Sequence, residues 1–77
     1  MPHAGKITAR RREVMHWVAR GKSNKEIAMI LGLSPNSVRT HMIRIFATYG
    51  TPNRVCATMR AIARGDVSVQ ELMKEFA

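Results

Sequence analysis

The chain has 77 residues, and thirteen Lys and Arg against five Asp and Glu leave it at +8; so short a polymer hides only about 60% of its unfolded surface and holds one small domain. That charge points to a polyanionic partner, nucleic acid first, while 45% apolar residues with Trp17, Phe46, Tyr49 and Phe76 as the only aromatics call for an aliphatic, Met-filled core of small helices. The longest apolar run falls far short of the ~18–20 residues of a membrane span, and the basic start leads into no apolar leader segment.

Residues 1–6 include Pro2 and Gly5, show no apolar period and read as a loose tail. Order is expected from Ile7. Thr8 can cap a first helix in which Val14, Met15 and Val18 share one face up to Arg20, with Gly21 closing it. Ser23-Asn24-Lys25-Glu26 is a capping box, the Ser hydroxyl facing the Glu amide while the carboxylate reaches back to the cap amide. The second helix starts at Asn24, buries Ile27, Ala28, Ile30 and Leu31, and stops at Gly32.

Leu33-Ser34-Pro35 repeats the start signal: Ser34 caps, Pro35 has the φ of a first helical position, and Leu33 can staple onto Val38. The third helix is expected from Pro35 to Tyr49. Val38, Met42, Ile45, Phe46 and Tyr49 form its inner face, and Asn36, Arg39, Thr40, Ile43, Arg44 and Ala47 its outer one. After Gly50, Asn53 can cap a fourth helix with Val55, Met59 and Ile62 in one stripe before Arg64-Gly65. Val67 and Leu72 can staple around a Ser68/Glu71 capping box, opening a short fifth helix from Val69 to Phe76 whose Val69, Leu72, Met73 and Phe76 cover the domain or meet a partner.

The fold class is therefore all-α, a compact helical bundle of four helices containing a helix-turn-helix, plus a short fifth C-terminal helix. Its organisation is a flexible tail over 1–6, a helical domain over 7–65 and a helical extension over 66–77. Residues 1–65 carry twelve Lys and Arg against Glu13 and Glu26, a balance of +10, whereas 66–77 carry Lys74 against Asp66, Glu71 and Glu75, a balance of −2. The last helix is thus expected off the polyanion. Trp17, Tyr49 and the methionines read as core filler and Cys56 as a small buried hydrophobe. His41 reads as a packing or capping side chain, or as a phosphate donor.

Two short helices joined by Gly32-Leu33-Ser34, the second with a basic outer face, have the layout of a helix-turn-helix whose second helix enters the major groove. The residues Ser23-Asn24-Lys25-Glu26-Ile27-Ala28, Leu31-Gly32-Leu33-Ser34, Val38-Arg39-Thr40-His41 and Asn53-Arg54 together resemble the LuxR-type (GerE-type) DNA-binding domain. The resemblance runs from Ile7 to Gly65. It implies a four-helix bacterial transcription regulator that binds near-palindromic sites as a dimer, often through the fourth helix. It also implies base or adjacent backbone contacts at Arg39, Thr40 and Ile43. The chain departs from the family's usual pattern at Arg11, where Glu is common, at Ile43, where a basic residue is common, and at Thr48-Tyr49-Gly50-Thr51, where Lys-Leu-Gly-Val is common. The first departure leaves Thr8 without a carboxylate partner and crowds three Arg at a helix start whose dipole disfavours cations, so that helix 1 is expected to fray without phosphate. The last makes the core there more polar.

The base-contacting candidates are Arg39 and Arg44, which can present a bidentate guanidinium to guanine, with Thr40 and Ile43 against thymine methyls or flanking edges. The phosphate set is Lys22, Ser23, Asn24, Lys25, Ser34, Asn36 and Ser37 at the amide-rich starts of helices 2 and 3, with Arg54, Arg10, Arg11 and Arg12 beside them. Val55, Met59 and Ile62 on helix 4 are candidates for a homodimer interface or for packing on helix 1. One cysteine and the scattered His3, His16 and His41 give no metal-ligand spacing and no catalytic constellation, so neither enzyme activity nor a cofactor is expected. With six residues ahead of helix 1, the expectation is a stand-alone cytoplasmic regulator at the bacterial nucleoid, its partner double-stranded DNA. The alternative is a protein-interaction decoy that pairs with a larger regulator through helix 4 or the C-terminal helix.

Overall fold

Every helix among the described residues begins where a short polar side chain takes up an orphan amide. Thr8, Ser23, Ser34, Asn53 and Ser68 accept from the backbone N–H of Arg11, Glu26, Ser37, Cys56 and Glu71. The computed structural model describes residues 7–76. In it α1 spans Ala9–Val18, α2 Asn24–Leu31, α3 Pro35–Tyr49, α4 Arg54–Ala63 and α5 Val69–Met73, which runs on as a 3-10 turn over Lys74–Phe76. No strand occurs among these residues. The tail expected over 1–6 lies outside them.

α3 has the expected limits, between the Ser34 cap and the left-handed Gly50 at φ 67°, a conformation that carries little penalty only without a Cβ. Helix 1 is shorter than expected. It stops at Val18 because the amides of Arg20, Gly21 and Lys22 turn back onto the carbonyls of Trp17 and Val18, tightening the chain into a turn that takes in Arg20. The Thr8 cap forms on its hydroxyl alone, with no acidic residue in the first turn. At α2 both halves of the capping box close. At α5 only the serine half does, the Glu71 carboxylate lying 3.9 Å from Lys74 Nζ instead.

The core is built from Val14, Met15 and Val18 of α1, Ile27 and Ala28 of α2, Val38, Met42, Ile45 and Tyr49 of α3, and Ala57 and Ala61 of α4, closed by Ile7 and Val67. α3 packs most extensively on α2 and also touches α1 and α4. α4 reaches this core through its two alanines, with Ile62 against the edge, while Val55 and Met59 point elsewhere. Three expectations are corrected. Ile30 is 44% exposed rather than buried, because Ile27, Ala28 and Leu31 define the buried stripe and Ile30 lies to its far side. Met29, Met59 and Met73 stand in solvent, leaving Met15 and Met42 as the core methionines. Cys56 is half-buried rather than buried, whereas Trp17 and Phe46, also half-buried, pack against the core as expected.

Long-range polar contacts fix the helix ends. Arg60 Nη1 donates to the Tyr49 and Gly50 carbonyls at 2.5 and 3.3 Å, placing a cation on the negative end of the α3 dipole. The Tyr49 hydroxyl donates to Asp66 Oδ2 at 2.6 Å under the Arg64 guanidinium. Burial first, and then that hydrogen bond, push the phenol's pKa up. The polar replacement at Tyr49 is therefore satisfied inside the fold. Arg20 packs over the Trp17 ring, donates to the His16 carbonyl and pairs with Glu75, tying the C-terminal turn to α1. Burial and then Arg20 lower the His16 pKa.

Candidate nucleic-acid interface

The outer face of α3 is an open, largely polar surface. Val38, Met42, Ile45 and Tyr49 fasten the helix inward, and 3.6 residues per turn then turn Asn36, Arg39, Thr40, Ile43, Arg44 and Ala47 away from the core. All six are exposed. Arg39 and Arg44 make no hydrogen bond or ion pair among the described residues. The Thr40 hydroxyl donates to the Asn36 carbonyl at 3.1 Å. Ile43 is 61% exposed, an apolar spot between two guanidinium-bearing positions.

The phosphate candidates divide by what holds them. The Ser23 hydroxyl caps α2 and the Ser34 hydroxyl caps α3 while donating to Ser37 Oγ at 3.0 Å. Both keep the first amides of their helices aligned toward solvent, where the positive dipole end favours an anion. Lys25 and Asn36 are exposed and Lys22 is half-buried. From Lys22 to Arg44 the only acid is Glu26, whose carboxylate accepts the Ser23 amide at 2.8 Å. That backbone hydrogen bond holds its pKa below the usual carboxylate value.

The remaining arginines are engaged inside the fold to different degrees. Arg54 donates through Nη1 to Asn24 Oδ1 and through Nη2 to the Lys22 carbonyl, both at 2.8 Å, and burial lowers its pKa. This fork joins the start of α4 to the start of α2, a structural role that sequence spacing did not reveal. Arg10 bridges Glu13 at 3.1 Å and the Leu31 carbonyl at 3.3 Å, holding α1 to the end of α2. Arg11 is half-buried with its Nε covered and unpartnered. Arg12 is exposed and makes no side-chain hydrogen bond among the described residues. His41 is half-buried beside this face.

The dimer candidates also separate. Val55 and Met59 are 68% and 65% exposed, with nothing packed on them, whereas Ile62 rests against the core. No described helix is long and apolar enough to cross a membrane.

Comparison with known proteins agrees with this geometry. Residues 6–61 match the luxR family of bacterial regulatory proteins, the GerE domain. An HTH-type transcriptional regulator of Mycobacterium tuberculosis is 41% identical over 64 residues, which cover 83% of this chain and 7% of the relative. The HTH-type quorum-sensing regulator RhlR of Pseudomonas aeruginosa is 39% identical over 59 residues, 77% of this chain and 24% of the relative. The transcriptional activator protein SolR of Ralstonia nicotianae is 39% identical over 59 residues, 77% of this chain and 25% of the relative. The chain therefore spans a quarter or less of these relatives' lengths.

Proposed function

The chain belongs to the luxR family of bacterial regulatory proteins, helix-turn-helix regulators of transcription rather than enzymes, and on that premise we propose that it binds double-stranded DNA at specific sites with α3 in the major groove. The observation that carries this reading is the outer face of α3. Arg39, Thr40, Ile43 and Arg44 stand exposed and unobstructed on a helix locked from behind by four buried side chains.

In this arrangement Arg39 and Arg44 address base edges, where a bidentate guanidinium on guanine discriminates by about 1–3 kcal/mol. Thr40 and Ile43 offer methyl groups to thymine. Lys22, Lys25, Asn36 and the capped amide starts of α2 and α3 hold the backbone and set register without reading sequence. Arg12, with Arg10 and Arg11, faces the flanking phosphates. Two copies bind a near-palindromic site, paired through α4, with recognition helices one duplex turn, about 34 Å, apart. A protein-interaction decoy is the second reading, supported by the exposed Val55 and Met59.

Selection of bound sites from random duplexes, followed by titrations across salt, tests the proposal. Log affinity is expected to fall with log salt at about −0.9 per phosphate neutralised. Arg39→Ala is expected to relax specificity, whereas Lys25→Ala weakens all sequences alike. Equal losses on every duplex for both variants remove Arg39 from the reader role, and a wild-type chain without salt-sensitive site preference leaves the decoy.

A further inference from the structure

The outer face of α3 is not uniformly basic. With about 100° between successive residues, Asn36, Thr40, Ile43 and Ala47 fall in a central strip about 60° wide, with Arg39 on one flank and Arg44 on the other. Among the described residues Ile43 is the one large apolar side chain of α3 left in solvent. A branched aliphatic group in the middle of a face bordered by two guanidinium groups gains only when an apolar group covers it.

The chemistry of this strip decides what it tells apart. In the major groove thymine has an O4 acceptor and a C5 methyl group, whereas cytosine has an N4 amino donor and a bare C5. From Thr40 to Ala47 the chain has no carboxylate and no side-chain amide to accept from that amino group. The Thr40 hydroxyl already donates its proton to the Asn36 carbonyl, so it has none to give to O4. Arg39 and Arg44 only donate, in a fork that fits guanine O6 and N7. Ile43 has no polar side-chain atom at all. It registers a methyl group and is blind to the oxygen or amino group beside it. That methyl is not confined to thymine, since 5-methylcytosine carries it at the same place in the groove and keeps the amino group of cytosine.

We propose that α3 reads the C5 methyl group of a pyrimidine through Ile43, whichever base carries it, so that cytosine methylation at that position of the site strengthens binding. The inference rests on the major-groove reading above and adds to it a covalent mark on the DNA as an input to site choice.

Fluorescence-anisotropy titrations on the site obtained by selection test it with two pairs of duplexes that differ by the methyl alone. Each thymine is replaced in turn by deoxyuridine, and each T·A pair by C·G with and without 5-methylation of the cytosine. At one position per half-site, loss of the methyl is expected to weaken binding about fourfold in both pairs, the worth of one buried methyl group. Ile43→Ala, at a position already in solvent, should bring both ratios close to one, and an unchanged near-UV signal from Trp17 reports that the fold is kept. Ratios that survive Ile43→Ala assign the methyl to another residue and overturn the proposal. A methyl effect on thymine with none on cytosine does the same, as does a selected site with no methyl-sensitive position. A wild-type chain that selects no site at all sinks the major-groove reading itself, and that failure is thereby told apart from this one.

Discussion

The α2–α3 pair and the α4–α5 pair share one small core but present opposite surfaces. Behind α3 stand four buried side chains, and in front of it stand Arg39, Thr40, Ile43 and Arg44. α4 enters the core through Ala57 and Ala61, with Ile62 resting against its edge, and Val55 and Met59 are left outside. In so small a domain an apolar side chain that is not buried is available for another molecule. The difference teaches that the polar face suits a polyanion and the apolar face a protein, and that separate substitutions should separate the two functions.

The largest expected effect tests whether the two faces stand on one core. Ile45 is fully buried beneath α3, and Ile45→Ala should cost about 2–5 kcal/mol of stability in denaturant melts. Val55→Ala on exposed α4 should stay within about 0.5 kcal/mol. Comparable losses for both would mean that α4 buries more than its alanines. Next, Arg54→Met leaves Asn24 Oδ1 and the Lys22 carbonyl without their donor, and about 1–3 kcal/mol of stability should be lost. Arg54→Lys keeps the charge but not the fork, so a lysine variant as stable as wild type would show that the bridge between the two pairs does not matter.

Arg39→Ala and Met59→Glu form a crossed test. The first should remove about 1–3 kcal/mol of site discrimination and leave self-association intact, whereas the second should do the reverse. A substitution that moves both readouts joins the faces. Ser34→Ala should cost about 1 kcal/mol by uncapping α3, read as a lowered melting temperature.

The smallest effect is a pH dependence confined to α2. The Glu26 carboxylate has its pKa lowered below 4.5 by the Ser23 amide, so its contribution is present above that value and fades as pH falls through the folded one. Thermal melts on acidification should show Glu26→Gln losing part of the wild-type slope, and an unchanged slope would disconnect the box from acid stability.

Helix starts were readable because capping is a local event between residues three apart. Ser23 with Glu26, Ser34 with Pro35, and Asn53 each announced a start that the structure places there. The outer face of α3 was readable for a similar reason, since apolar side chains at helical spacing name the buried side and leave the rest exposed. What the open positions of that face contact is the proposal above, and DNA-binding measurements decide it. The length of α1 was less readable, because a tight turn and a fourth helical residue look alike before Gly21. Ile30 misled because period alone does not fix how wide a buried stripe is, and Met29, Met59 and Met73 misled because Met suits a core and an interface equally.

By itself the sequence determined the all-helical class, the order of the elements, the basic segment from Lys22 to Arg44 and the likeness to the luxR family. Those depend on composition, periodicity and short-range hydrogen bonds. Only the tertiary structure decided where the long side chains end: Arg54 on Asn24 and the Lys22 carbonyl, Arg10 on the Leu31 carbonyl, Arg60 on the end of α3, and Arg20 on Glu75. A guanidinium reaches across to whichever element packs beside it, and that neighbour is set by the whole core rather than by the residues next to it in the chain.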